Sequence, residues 1–219
     1  MTPVYPAGMR FTTDTIFDDD ALEAFFVEIK GDILCYRGEE DETEVRAGEL
    51  EAYIIDVYGA EALGYRVADI FDQVQESFEC YELLFDHGSG ELKESFVSAF
   101  DDAPSRNFLL LNRLEVLPDF RRARIGLAAI SRALDVFGPG CGYAVLNVVP
   151  LQFGDVDMAS REQWYRQMRL SEFSDDIGQA RLKLQKHYSL LGFRPIAGTT
   201  WMALNLSYTR PRLADIGWT

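Results

Sequence analysis

Between positions 67 and 85 the chain repeats Val67, Ile70, Phe71, Val74, Phe78, Tyr81 and Phe85 with a three- and four-residue period. That spacing lines them up on one face of an α-helix, so a single amphipathic helix is predicted over 67–85. His87-Gly88-Ser89-Gly90 then breaks it, and a shorter helix is expected over 91–100. Upstream, AFFVEIKGDILCYR at 24–37 carries two β-rich runs around Gly31-Asp32 and reads as a hairpin, followed by an exposed acidic loop. A further strand fits 51–58.

The second half alternates more regularly. Residues 108–116 are apolar enough for a central strand, which Pro118 must end because proline has no N–H for a ladder. Positions 124–137 read as a helix stopped by Gly138-Pro139-Gly140, and 143–149 as a second buried strand. Strand, helix and strand in a row suggest a crossover unit. Residues 150–179 read as an insertion: Pro150-Leu151-Gln152-Phe153 looks irregular, and 161–170, with Trp164 and Tyr165, looks like a short helix. A helix from about 176 puts Ala180, Leu184, His187, Tyr188 and Leu191 on one face, ends at Gly192 and leads to a last strand over 200–206.

These elements amount to one α/β domain across 219 residues, a length sufficient for one sizeable core. A basic start followed by an apolar run is lacking, and no stretch of about 18 apolar residues occurs, so neither a signal peptide nor a membrane span is expected. Cys35, Cys80 and Cys141 are odd in number and unpaired by any CxxC spacing, which points to a reducing cytoplasm and away from a disulfide framework or zinc knuckle. His87 and His187 sit in no metal-binding pattern, and no metal is expected.

The net charge of −15 would repel a nucleic-acid backbone. Against that background, Arg106, Arg113, Arg121, Arg122, Arg124 and Arg132 face only Glu115 and Asp119 within the same stretch. Two readings remain open: an anionic ligand, or surface pairing with the acidic N-terminal half. The predicted strand-to-helix junction at Leu114–Leu127 favours the first, because a helix start presents unpaired N–H groups and the positive end of its dipole.

Two segments resemble the GNAT acyltransferases. Val116-Leu117-Pro118 followed by Arg121-Arg122-Ala123-Arg124-Ile125-Gly126 is similar to that superfamily's V-x-P step and [Q/R]-x-x-G-x-[G/A] loop, with Arg124 in place of the first glycine. Tyr188-Ser189-Leu190-Leu191-Gly192-Phe193 is similar to its second signature, an aromatic residue four before Gly-Phe. The resemblance covers 108–206 with the insertion, while 1–107 carry no motif. It implies a mixed, mostly antiparallel central sheet flanked by helices and transfer of acetyl from acetyl-CoA to an amine, small-molecule or peptide.

Carried over residue by residue, it implies that Leu114 and Val116 border the pantetheine arm. The backbone of Arg121, Arg122, Ala123, Arg124, Ile125, Gly126 and Leu127 would hold the pyrophosphate. Tyr188 is then the expected acid for the departing thiolate and Glu115 a candidate base. His187, roughly 100° around the helix from Tyr188, is left outside the site. Trp164 and Tyr165 either pack the inserted helix or line the acceptor's entrance. The competing reading is a non-catalytic GNAT-fold binding or scaffold protein with a degenerate cofactor loop.

Overall fold

A computed structural model describes residues 5–14, 21–36, 43–121, 123–153 and 161–217. The chain runs through β1 (Tyr5–Thr13), β2 (Phe26–Tyr36) and β3 (Glu44–Ile55), then four short helices: α1 (Val57–Ala62), α2 (Val67–Phe71), α3 (Gln75–Leu84) and α4 (Glu94–Phe100). β4 (Phe108–Val116), α5 (Ile125–Phe137) and β5 (Tyr143–Asn147) follow. The chain closes with α6 (Glu162–Met168), α7 (Ile177–Ser189), β6 (Arg194–Pro195) and β7 (Trp201–Asn205). The seven strands form one sheet in the order β1-β2-β3-β4-β5-β7-β6. Every neighbouring pair is antiparallel except β4 and β5, which are parallel and joined through α5. The fold is therefore mixed α/β with a mostly antiparallel sheet, as expected.

Alternation along β4 builds a core on each face of the sheet. Leu109 and Leu111 join Leu127, Ile130, Leu191 and Phe193 under α5 and α7. Phe108 and Leu110 join Phe71, Phe85, Phe96 and Tyr143 under α1 to α4. The second core is a mesh of aromatic rings, with Phe108 stacked on Tyr143 at 5.6 Å between centroids and edge-on to Phe71 at 5.8 Å.

Three expectations need correction. Within the hairpin expected at 24–37, Phe26–Tyr36 is one unbroken strand, whose Gly31 pairs with Phe11 of β1 on one side and Leu50 of β3 on the other, while Arg37 and most of the expected acidic loop lie outside the described residues. Glycine stands there because a Cβ would come within 3.1 Å of Met9 and of the Phe11 ring; the true partner, β1, was not expected. The helix over 67–85 is two helices, α2 and α3. Buried Ser77 donates its hydroxyl to the Phe71 carbonyl at 2.5 Å, and Val74 takes an extended conformation. Side-chain hydroxyls that bond nearby backbone compete with the helix ladder in this way. The apolar stripe survives the break, because Val67, Ile70, Phe71, Tyr81 and Phe85 all enter the same core. Finally, the strand at 51–58 starts earlier, at Glu44, and gives way after Ile55 to α1, whose N-cap Asp56 accepts from Gly59 N–H at 2.9 Å.

Candidate functional site: the split between β4 and β5

β4 pairs with β5 only from Phe108↔Tyr143 to Leu111↔Leu146. On its other edge β4 carries a bulge at the next residue: Ala52 of β3 faces Leu111 and Glu51 faces Arg113, so Asn112 is the extra residue. Bulges bend the strand that holds them, and the bend falls where β4 loses β5. Beyond it, the carboxyl ends of the two parallel strands frame a cavity of about 510 Å3. Its walls are apolar, with Leu111 and Leu114 from β4, Leu146 from β5, Ile130 from α5, Met168 from α6 and Leu184 from α7. Ligands in α/β sheets favour this position, where a backbone edge is open at strand ends.

The N-terminus of α5 stands beside it. Gly126 packs so closely on β4 that a Cβ would meet Leu114 at 3.1 Å and Val116 at 3.7 Å, both lining residues. The first helical hydrogen bond runs from Ala128 N–H to the Arg124 carbonyl at 3.1 Å. The amides of Ile125, Gly126 and Leu127 therefore have no helical acceptor. Arg124 is the N-cap in left-handed conformation, φ 56° and ψ 16°, a shape glycine adopts without strain. Its guanidinium turns away against Gly217, with Nη1 3.1 Å from where a Cβ there would stand. Ala123 is exposed in the preceding turn, and Arg122 lies outside the described residues.

Arg121 behaves differently from the expectation. Its amide is engaged, donating to the Pro118 carbonyl at 3.2 Å. Its side chain donates from Nε to the Val116 carbonyl at 2.8 Å and from Nη2 to the Met168 carbonyl at 2.6 Å, with the guanidinium 4.3 Å from the Phe173 ring centroid. It therefore ties the end of β4 to the insertion instead of facing the free amides. Burial holds its pKa below the usual arginine value.

Tyr188 lines the cavity as expected, and burial pushes its hydroxyl pKa up to about 12. Among the described residues that hydroxyl has no hydrogen-bond partner. His187, left out of the site by sequence reasoning, lines the same cavity, its ring 5.8 Å from that of Tyr188. Burial, and secondarily the positive charge of Arg124, lower its pKa and favour the neutral imidazole. The signal in the sequence is its place on the apolar face of α7 beside Tyr188, since 100° of helical rotation still leaves both side chains facing one cavity.

Neither family models nor curated proteins match this chain.

Glu115 does not line the cavity. Its side chain is fully buried on the opposite side of β4 and accepts from Trp164 Nε1 at 2.5 Å, Arg161 Nη2 at 3.1 Å and the Tyr165 hydroxyl at 3.2 Å. Three donors on one carboxylate leave little capacity to take a proton from a substrate. The residue anchors α6 to the sheet, and Trp164 and Tyr165 serve that anchorage, the packing alternative stated above. Of the arginines between 106 and 132, Arg106 pairs with Glu61 and Glu91 of the N-terminal half, Arg121 lines the cavity, and the Arg113 guanidinium stands 3.5 Å from the Tyr165 hydroxyl on Glu115's face of β4. Cys141 is no nucleophile candidate, because burial raises its thiol to about 11. Among the described residues no cluster of metal-ligating side chains and no helix able to cross a membrane is found.

Proposed function

We propose that the chain is an acyl-CoA-dependent N-acyltransferase of GNAT type that transfers acetyl from acetyl-CoA to an amine. The observation that carries the reading is the apolar cavity at the β4–β5 split, with the start of α5 packed through Gly126 on its lining residues Leu114 and Val116 and with Tyr188 in its wall. The residues present fit an acyl-CoA. N–H groups without a helical acceptor at a helix start suit a pyrophosphate, Gly126 keeps them close to β4, and the apolar walls suit a pantetheine arm. The donor supplies an activated thioester carbonyl to an attacking amine.

The chain's own groups account for the protons. The amine must lose one as the new C–N bond forms, and the sulfur must gain one as the C–S bond breaks. His187, whose pKa burial lowers, is the cavity-lining group suited to accept the first, and among the described residues no Asp or Glu lines the cavity. Tyr188, with a raised pKa and a hydroxyl that has no hydrogen-bond partner among the described residues, keeps its proton until the thiolate takes it. Arg121 would have to release the Val116 carbonyl if the pantetheine arm is to use it. That hold, with Arg124 in the loop, favours the second reading, a scaffold protein with a degenerate cofactor site. Three free cysteines support a reducing cytoplasm as the compartment.

Calorimetric titration with acetyl-CoA tests the reading. The acyltransferase predicts saturable binding to the wild type, and amine-dependent thiol release that falls by about a hundredfold or more in Tyr188→Phe. Absence of binding by folded wild type, Arg121→Ala and Arg124→Gly alike would sink it and leave the scaffold.

A further inference from the structure

The cavity does not stop at the strand ends. Four of the residues that line it, Leu50, Leu111, Ile130 and Leu146, are buried members of the core between the sheet and helices α5 and α7. Leu50 stands on β3, across the ladder from Leu114, so the space passes under β4 from the β5 side to the strand beyond it. Neighbouring strands lie about 4.8 Å apart, which makes that crossing roughly 10 Å. At Gly126 the start of α5 touches β4, with a Cβ position 3.1 Å from Leu114; one turn along the same face, Ile130 borders the cavity instead. Val149 and Phe173 line the same cavity and are each 37% exposed. One apolar wall therefore runs from solvent into the core.

Protein cores are close-packed and leave few voids larger than a water molecule, and an apolar void stays dry and takes apolar guests. An acetyl group needs room for one methyl beyond its carbonyl, and the pantetheine arm borders Leu114 and Val116 in the reading above. Neither accounts for space that reaches Leu50 on β3. We infer that the cavity holds the hydrocarbon chain of a medium-chain acyl group carried by the coenzyme, about six to eight carbons for a reach of roughly 10 Å. This deepens the acyltransferase reading and rests on it for the coenzyme. Tyr188, which protonates the leaving sulfur in that reading, lines the same cavity, so a chain joined to that sulfur begins within its walls. The four buried side chains are hydrocarbon, which offers an ammonium head no partner and a methylene chain full burial. The deep end therefore suits the acyl group and not the amine.

Calorimetric binding of saturated acyl-CoAs, from acetyl to palmitoyl, to the full-length protein reads the chain. Affinity should rise by about fourfold per buried methylene, by roughly a hundredfold or more from acetyl to octanoyl, and level off before palmitoyl, where the core closes the space. A rise that continues to palmitoyl would mean adhesion to the outer surface and overturns the inference. Ile130→Phe, which adds bulk at the inner wall, should cut the octanoyl preference by roughly tenfold or more. Its urea midpoint should stay near the wild-type value, because the ring enters open space; in a filled core the same change destabilises. A second readout needs neither variant nor coenzyme. In methyl-labelled wild type, 1-octanol and octanoyl-CoA should each shift the resonances of Leu50 and Ile130, which acetyl-CoA should leave in place. Coenzymes that bind equally at every chain length, with those methyls unmoved, overturn the inference and leave the acyltransferase reading standing. Shifts by octanol without binding of any acyl-CoA overturn the acyltransferase reading and with it the acyl assignment, leaving a pocket for a free apolar ligand.

Discussion

Arg124 carries a conformation that its side chain does not favour. A non-glycine residue at φ 56° costs about 1 kcal/mol, and the packing of its guanidinium on Gly217 offsets only an exposed contact. Arg124→Gly should therefore raise the urea midpoint, by a stability gain of roughly 1 kcal/mol; a fall would mean that the Gly217 contact outweighs the strain. His187 makes a second prediction at this scale. Its folded pKa lies below the unfolded value, so as pH falls through the ordinary histidine range the unfolded chain binds a proton before the native one does. Stability is thus lost on acidification between roughly pH 7 and pH 5.5, before most carboxylates titrate. The groups set around the imidazole, Arg124 at the start of α5, Lys183 on the same helix and Arg121 across the cavity, are cationic, and none stabilises an imidazolium. In His187→Gln the part of the acid-side loss due to this residue should vanish, seen as a flatter urea midpoint against pH over that window.

β4 is the element on which the site depends. Up to Leu111 it is an interior strand paired on both edges, and beyond Asn112 it pairs with β3 alone. Deleting Asn112 would restore regular pairing of Leu111 and Arg113 with Ala52 and Glu51 without moving either side chain to the other face, because the deleted residue is the unpaired one. The variant should fold, with native circular dichroism, yet lose the bend. Binding of acetyl-CoA should fall by roughly tenfold or more, the scale expected when positioning of a bound group is lost. Unchanged affinity would show that the split does not depend on the bulge. Both hydrophobic spacings on β4 and α5 were legible because each element meets a core directly. The bulge was not, since Asn112 differs from its neighbours by pairing partner and not by any local pattern. The break between α2 and α3 was hidden for the same reason: period alone carries the stripe across a turn that Ser77 stabilises.

At the scale of the molecule, the charge of −15 is spread over a compact surface, and repulsion among like charges opposes the folded state. Raising the salt concentration from about 0.01 M to 0.15 M shortens the screening length from about 30 Å to 8 Å. The thermal midpoint should rise. A drop would show that surface pairs such as Arg46 with Asp32 and Glu49 outweigh the net repulsion. The sequence alone determined the fold class, the β4–α5–β5 unit, the end of α7 shortly before Gly192 and the lodging of Tyr188 on an apolar face, because these follow from periodicity and from residues that stop an element. Only the tertiary structure decided that Glu115 is sealed under α6, that Arg121 grips two carbonyls, and that His187 lines the cavity beside Tyr188. Each of those outcomes depends on contacts between residues distant in the chain, such as Glu115 with Trp164, and burial and pairing across such distances leave no mark in local spacing.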